Sequence, residues 1–468
     1  MNRAAASAAV ALLLCGCAAV GPEYHRPALA APEQWHNTDD SRTSAPTLAQ
    51  AAWWRAFNDP ALNGLIEKAL AANLELEQAR ARIVQARANV DLAAAPSQPH
   101  INAAGSVNRS RTSEHLSSAA GGKTSTLYQA GFDAGWELDV FGGTRRSVEA
   151  AQARLDARVE DLHAAVLTLL GDVSKNYIDL RANQTQLQIT HDTLKALEDN
   201  VALTRERFRL GLTSYLDVTQ AESQQAAVEA NIPSLDAAAK AAMHRLAILL
   251  GQPPAALVAE LSAARPLPKA DILLAPGLPA ELLARRPDLR AAERQLAAAS
   301  ADIGVAVSGL YPTFDLTLGL GLQANSASAF AQRASRYWSF VPGVAVPLLD
   351  GGKARADIRA KQAVYDELLA QYRAAFHTSL EDVENGLTVY YAEREKNKAL
   401  ANSVRITGES LTLAFDRYRR GLTTYIDVLT AQRSLYIAQS SLTQSDAQQL
   451  TNIVALYKAL GGGWENHI

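Results

Sequence analysis

Cysteine is nearly absent: the 468 residues hold two, Cys15 and Cys17. Thiols two positions apart make a poor disulfide framework, so cross-links do not carry this fold. Aromatic residues are scarce at 6% and methionine occurs twice, although 48% of the chain is hydrophobic. The apolar content is largely alanine and leucine, which suits close helix–helix packing better than a thick globular core. No segment after the first residues has the ~18 uninterrupted apolar residues of a spanning helix. Neither sign of charge dominates: 45 Lys and Arg against 48 Asp and Glu leave a formal net charge of −3. A broad basic surface for nucleic acid is therefore excluded. Enzyme signatures are missing too, with no His-Glu-x-x-His, Cys-x-x-Cys or Gly-x-Ser-x-Gly. Gly121-Gly122-Lys123-Thr124 has the ending of a P-loop, but position 117 is Ser117 and a strand pattern follows. The nine histidines are scattered. The expectation is a non-enzyme with no cofactor and no metal site.

What the chain does have is a large internal repeat. Arg207-Phe-Arg-Leu-Gly-Leu-Thr-Ser-Tyr-Leu-Asp-Val returns as Arg417-Tyr-Arg-Arg-Gly-Leu-Thr-Thr-Tyr-Ile-Asp-Val, offset by 210 (417 − 207). Leu76 through Pro99 aligns with Leu289 through Pro312, offset 213, and Phe141-Gly-Gly143 aligns with Asp350-Gly-Gly352, offset about 209. A repeat near half the chain implies two similar halves, not a solenoid of short units. The boundaries read as a signal peptide over 1–16, an N-terminal equatorial segment over 17–60, and a first repeat over 61–251. A linker over 252–279, a second repeat over 280–461 and a tail over 462–468 follow.

Each half alternates long helical patterns with period-two patterns. Residues 62–95 read as one helix ending before Pro96. Residues 144–209 read as another, roughly 100 Å long at 1.5 Å per residue. In it Leu180, Leu187, Leu194, Val201 and Phe208 recur every seven; Tyr390, Val404, Leu411 and Tyr418 do so in the second half, with Asn397 interrupting. Heptads sustained this long predict coiled-coil packing. The helices resume after Gly211 and Gly421, with a kink or swollen turn expected at Pro233. Phe132, Trp136 and their neighbours, and Leu316, Leu318 and Leu320, alternate with polar residues and glycine. With weaker patterns over 101–109 and 338–349, they predict two β-hairpins, one per half. The strand length suits a membrane strand, apolar toward lipid and polar toward a lumen. Four strands cannot close a barrel, and open edges cannot face lipid. Three chains supply twelve strands, and the same three supply twelve long helices for a tube. The expected fold is mainly α with a β-barrel portion: a trimeric twelve-stranded outer-membrane barrel continued by a long coiled-coil helical barrel.

The amino terminus reads as a signal: Arg3, an apolar run, then Leu14-Cys15-Gly16-Cys17. That tetrapeptide resembles a bacterial lipobox, which makes Cys17 the lipidated first residue of the mature chain; a plain signal peptide is the alternative. Ala18, where an Asp would retain a lipoprotein elsewhere, favours the outer membrane by the same resemblance.

Three further blocks carry a family resemblance: Cys17-Ala-Ala-Val-Gly-Pro-Glu-Tyr-His-Arg-Pro27, Trp53-Trp54-Arg-Ala-Phe57, and Pro279 to Leu296 with its Arg285-Arg286-Pro287-Asp288 core, followed by Leu310-Tyr-Pro-Thr-Phe314. On these the chain resembles the TolC-like outer-membrane factors, in the NodT-like or OprM-like lipoprotein branch. The resemblance implies a homotrimer in the bacterial outer membrane that docks a periplasmic adaptor and an inner-membrane RND-type pump and exports small molecules passively. It also implies a gate at the periplasmic turns. Gly211 and Gly421 are the hairpin turns; Asp217, Asp427, Tyr418, Arg420, Tyr425, Thr430 and Arg433 are the gate candidates. Asp427 matches one ring position of the family, whereas Thr430 and Thr423 stand where relatives carry charge. The residues allow a plainer role as well. Ser214 to Asp217 and Thr424 to Asp427 have capping-box spacing, with the hydroxyl capping the new helix. The two roles are compatible. A type I secretion duct and a non-pore coiled-coil lipoprotein are the alternative functions.

Overall fold

The computed structural model describes residues 19–36, 52–115, 122–269 and 279–465. The signal segment, Cys17 and the tail beyond 465 lie outside the described residues, as do 270–278 of the linker. The main helices are α1 Pro60–Ala72, α2 Leu74–Ala94, α3 Gly143–Arg209, α4 Tyr215–Glu229, α5 Ile232–Leu249, α6 Pro287–Ser308, α7 Lys353–Arg419 and α8 Tyr425–Ala459. The strands are β1 His100–Arg111, β2 Thr124–Glu137, β3 Thr313–Ala324 and β4 Arg336–Ala345. The described residues are thus mainly helical with one four-stranded sheet, and α3 and α7 are each 67 residues long. Among the described residues no helix is long and apolar enough to cross a membrane.

Two compact units cut across the repeat, each built from parts of both halves. One contains the sheet, the ends of the helices that enter and leave it, and the N-terminal segment. The sheet is antiparallel throughout, in the order β1-β2-β3-β4, so the two hairpins join through β2 and β3. Directly paired residues share a face. The register sets Phe132 beside Leu320, Trp136 beside Leu316, Leu320 beside Trp338 and Leu318 beside Phe340. Phe132, Trp136, Leu316, Leu318 and Leu320 therefore lie on one apolar face. The opposite face carries Asn102, Asn108, Gln129, Asp133, Asp315 and Thr317 with four glycines of β2 and β3. Gly131 pairs with Gly321 there, and a Cβ on Gly321 would stand 2.4 Å from the Ala130 carbonyl. Side chains would not fit where these strands approach so closely.

The N-terminal segment is stitched to this unit. Val20 N–H donates to the Phe141 carbonyl at 3.0 Å, Arg146 Nε donates back to the Val20 carbonyl at 3.1 Å, and the Tyr24 hydroxyl donates to Glu293 at 2.6 Å. Gly21, at φ +95, packs directly on Gly304. Residues 19–24 are thereby fixed where β2 passes into α3.

The other unit holds the helical hairpins and the irregular segments between the halves. Trp53, Trp54 and Phe57 are buried, and Trp53 stacks on Tyr457 at 5.1 Å. The Arg285-Arg286-Pro-Asp288 block is a junction: Arg286 pairs with Asp288 at 2.7 Å and Asp382 at 2.9 Å and reaches the Ala459 carbonyl. Trp464 donates to the Arg285 carbonyl at 3.1 Å, stacks on His163, and lies under the Arg290 guanidinium.

One helix expectation needs correction. The pattern over 62–95 is two helices, not one, because Asn73 leaves the helix (ψ 128). Its side-chain oxygen accepts from Glu75 and Leu76 N–H, and its amide donates to the Leu249 carbonyl at 2.8 Å. One asparagine thus caps α2 and ties it to the end of α5. At Pro233 the expected interruption is a two-residue turn: Ala230 and Asn231 keep right-handed helical dihedrals between α4, which stops at Glu229, and α5, which starts at Ile232 with proline in its first turn, where no N–H is needed. The second half has no proline there, and α8 runs 35 residues unbroken.

Candidate functional site

The two hairpin turns are built alike. Gly211 and Gly421 have φ of +74 and +72, the left-handed region that glycine enters freely. Leu212 N–H donates to the Arg207 carbonyl at 2.8 Å and Gly211 N–H to that of Phe208 at 2.9 Å. Leu422 and Gly421 do the same to Arg417 and Tyr418 at 2.9 and 3.0 Å. These paired bonds are Schellman closures, which satisfy the last carbonyls of α3 and α7.

The next helices are not capped as the spacing suggests. Ser214 and Thr424 are the extended N-cap residues, but neither side chain makes a capping bond. Instead the preceding threonines act: Thr213 donates its hydroxyl to Asp217, and Thr423 donates to Asp427. Each aspartate keeps its place in the first turn, where the helix dipole favours negative charge.

The duplicated residues then diverge. Tyr418 and Tyr425 are buried at 3% and 1% exposure, in a core with Val201, Ala221 and Val428 that joins the two hairpins within one chain. Their rings lie 5.5 Å apart. The Arg207 guanidinium covers the Tyr418 ring at 4.6 Å and donates to its carbonyl at 3.4 Å. Burial pushes Tyr425 up to about 12, with Tyr418 and the Asp217 charge adding to the effect. Burial also raises Tyr418; Arg207 opposes that and Asp217 reinforces it. Asp217 is half-buried against this core. Asp427 and Thr430 are exposed and, with Thr423, Arg417 and Ser434, line an open groove of about 630 Å³. Thr430 spends its hydroxyl on the Ile426 carbonyl of its own helix. Arg420 and Arg433 are exposed. The structure thus brings Tyr418, Tyr425 and Asp217 together and leaves Asp427, Arg420, Thr430 and Arg433 outside that cluster.

Sequence reasoning missed two parts. One is Arg207, whose repeat partner Arg417 was the available signal. The other is a polar seam between α3 and α8: Asn200 donates to Gln432 at 3.0 Å, Thr190 meets the Tyr436 hydroxyl at 3.2 Å, and Gln186 donates to Ser440 at 2.8 Å. Asn397, the heptad interruption, donates to Asp446 at 2.7 Å and Ser445 at 3.2 Å of α8. Among the described residues there is no cluster of His, Cys, Asp and Glu suited to a metal ion.

A family profile described as outer membrane efflux protein matches residues 65–252 and 278–462. Nodulation protein T of Rhizobium leguminosarum bv. trifolii is 33% identical over 461 residues, 97% of this chain and 96% of that protein. The pyoverdine export outer membrane protein OpmQ of Pseudomonas putida is 35% identical over 445 residues, 93% of each. The solved outer-membrane channel OprN superposes with a TM-score of 0.90 at 35% identity, covering 95% of this chain and 99% of that one. OpmQ is named as an outer membrane export protein and OprN as an outer-membrane channel, and the family's members are channels and not enzymes. A sheet with one apolar and one polar face, long helical hairpins and full-length kinship agree: the chain belongs to the outer membrane efflux protein family, as an outer-membrane channel component of an efflux pump.

Proposed function

We propose that three copies form a passive exit duct, a twelve-stranded barrel in the outer membrane continued by a helical tube in the periplasm. The sheet supports this most. Its apolar and polar faces suit lipid on one side and water on the other, and β1 and β4 are its outer strands. Unpaired backbone groups in lipid cost several kcal/mol each, so those edges need partners. Four strands are too few to close alone. Native mass measurement in detergent tests this: three chains are expected, and a stable folded monomer would overturn the reading.

Cys17 is the lipid anchor in this account. Intact mass of the mature protein should show added acyl chains; an unmodified thiol would refute the anchor. Transport through the duct is driven by an inner-membrane RND-type pump, which the duct meets through a periplasmic adaptor. The equatorial segment 17–60 precedes repeat 61–251, and the equatorial linker 252–279 separates that repeat from repeat 280–461. The relative named for pyoverdine export supports small-molecule cargo. The gate lies at the Gly211 and Gly421 turns. Asp427 carries charge toward the axis. Tyr418, Tyr425 and Asp217 hold the two hairpins together behind it.

A further inference from the structure

The two faces of the sheet differ in charge as well as in polarity. Ala103 pairs with Phe132, so alternation along β1 puts Val107, Arg109 and Arg111 on the apolar face. Arg336 joins them from β4, because it pairs with Leu322, two residues on from Leu320. β1 to β4 contain no other Lys or Arg. Their three carboxylates, Asp133, Glu137 and Asp315, all lie on the polar face, where Glu137 pairs directly with Asp315. Every strand cation is thus on the apolar side and every strand carboxylate on the other.

The arginines are also gathered at one end. Arg109 and Arg111 close β1 and Arg336 opens β4, at the end of the sheet where each hairpin turns, whereas the carboxylates lie in the half nearer the helices. The turns add to the imbalance. Residues 109–126 and 322–336 hold Arg109, Arg111, Lys123, Arg333 and Arg336 against Glu114 alone, a charge of +4 (5 − 1) in a chain of net −3. Glu114 pairs with Arg111 at 2.7 Å, but both are exposed, and such pairs contribute little in water. Arg109 and Arg336 are exposed and have no ion-pair partner among the described residues. The apolar band ends at these residues. On the same face Tyr128 lies one step in from the Arg109–Thr126 pair and Trp338 one step in from Arg336, and aromatic rings mark the rim of the apolar band in membrane barrels.

On a lipid-facing strand an arginine is costly at the membrane midplane and costs little at the interface. Three of them at one rim, with no carboxylate on their face, present positive charge at the depth of lipid headgroups. A guanidinium meets a phosphate through two parallel hydrogen bonds and is more weakly hydrated than an ammonium. Building on the duct reading, which turns the hairpin loops outward and sets the apolar face in lipid, we infer that Arg109, Arg111 and Arg336 form a docking rim for the phosphate groups of outer-leaflet lipid. The occupant is a phosphorylated lipid held by its headgroup, with its acyl chains along Val107 and Trp338. Solutes in the lumen meet the other face, so the rim acts on the membrane and not on the cargo.

Native mass measurement on the full-length protein in detergent tests this, with bis-phosphorylated lipid A and the same lipid stripped of its phosphates as probes. The parent trimer should bind the phosphorylated lipid at least about ten-fold more tightly, a preference that shrinks in about 1 M salt. The Arg109→Gln, Arg111→Gln, Arg336→Gln variant should lose the preference. Lys175→Gln, Lys240→Gln, Lys398→Gln removes the same charge from exposed helix positions and should keep it. Inorganic phosphate should displace the lipid no better than chloride at equal ionic strength; specific displacement would assign the rim to free phosphate and overturn the lipid. A trimer of the arginine variant that keeps the preference, or a parent trimer that binds both lipids alike, overturns the rim and leaves the duct standing. A folded monomer overturns the duct reading beneath it. If the triple variant yields no trimer, the three single variants decide: each should weaken the preference, and none doing so overturns the rim.

Discussion

Asp217 and Asp427 occupy equivalent positions in sequence and different ones in space. Both accept from the threonine four residues before, but Asp217 is half-buried against Tyr418 and Tyr425, while Asp427 lines an open groove. In a trimer three Asp427 carboxylates would approach one another. Like charges at such range cost on the order of 1 kcal/mol or more per pair at an effective dielectric near 20. They persist only if hydrogen-bonded or bridged by cations. Asp427→Ala should therefore lower cation preference and weaken block by multivalent cations in single-channel recordings, and Asp217→Ala should do so less. Equal thermal destabilisation of both variants, with selectivity and block unchanged, would place the gate elsewhere. The buried tyrosines make a separate prediction. Tyr177, Tyr425 and Tyr457 are each pushed up to about 12, chiefly by burial. Unfolded tyrosine loses its proton near pH 10. Between pH 10 and 12 the unfolded chain thus holds fewer protons than the folded one, and stability falls as pH rises. Below pH 10 both states hold the proton and nothing is lost; the loss accumulates toward pH 12 and is on the order of 2 kcal/mol per residue, because burial penalises the phenolate. The Tyr425 hydroxyl has no hydrogen-bond partner among the described residues, so Tyr425→Phe should be no less stable at pH 8. Melts from pH 8 to 12 should show it losing less stability than the parent protein; an unchanged slope would contradict this.

The elements were legible where one period governs a long stretch. The 67-residue helix of the first half begins one residue before the start read from the sequence, and β2 and β3 lie where period-two alternation put them, whereas β4 stops at Ala345, short of the pattern read to 349. Gly211 and Gly421 were legible because a reversal between long helices demands a left-handed residue. What the pattern hid has a common cause: it depends on partners distant in sequence. Asn73 interrupts a continuous helical pattern because its amide finds Leu249. The heptad stripe fails similarly. Leu187 and Leu194 are only half-buried and Phe208 is exposed, whereas Thr190, Asn200 and Thr204 are buried, because the α3–α8 seam is polar. Counting apolar residues cannot find a seam of hydrogen bonds. Arg207 was missed for the same reason, since its partner ring lies 211 positions away. The seam is testable. Asn200→Ala strands the buried Gln432 oxygen and should cost about 1–3 kcal/mol. Asn200→Leu with Gln432→Leu should recover much of that loss in a double-mutant cycle. Additive losses would show that the bond contributes nothing specific.

At the scale of the whole molecule, the sheet has two faces of opposite chemistry and two outer strands, β1 and β4. A duct is what such parts form in a membrane, and conduction is its most direct signature. Purified full-length protein in planar lipid bilayers should give discrete, stepwise conductance that prefers cations and is reduced by multivalent cations added at the side holding the Gly211 and Gly421 turns. Folded protein that inserts into the bilayer and gives no steps, under any applied potential, would contradict the account.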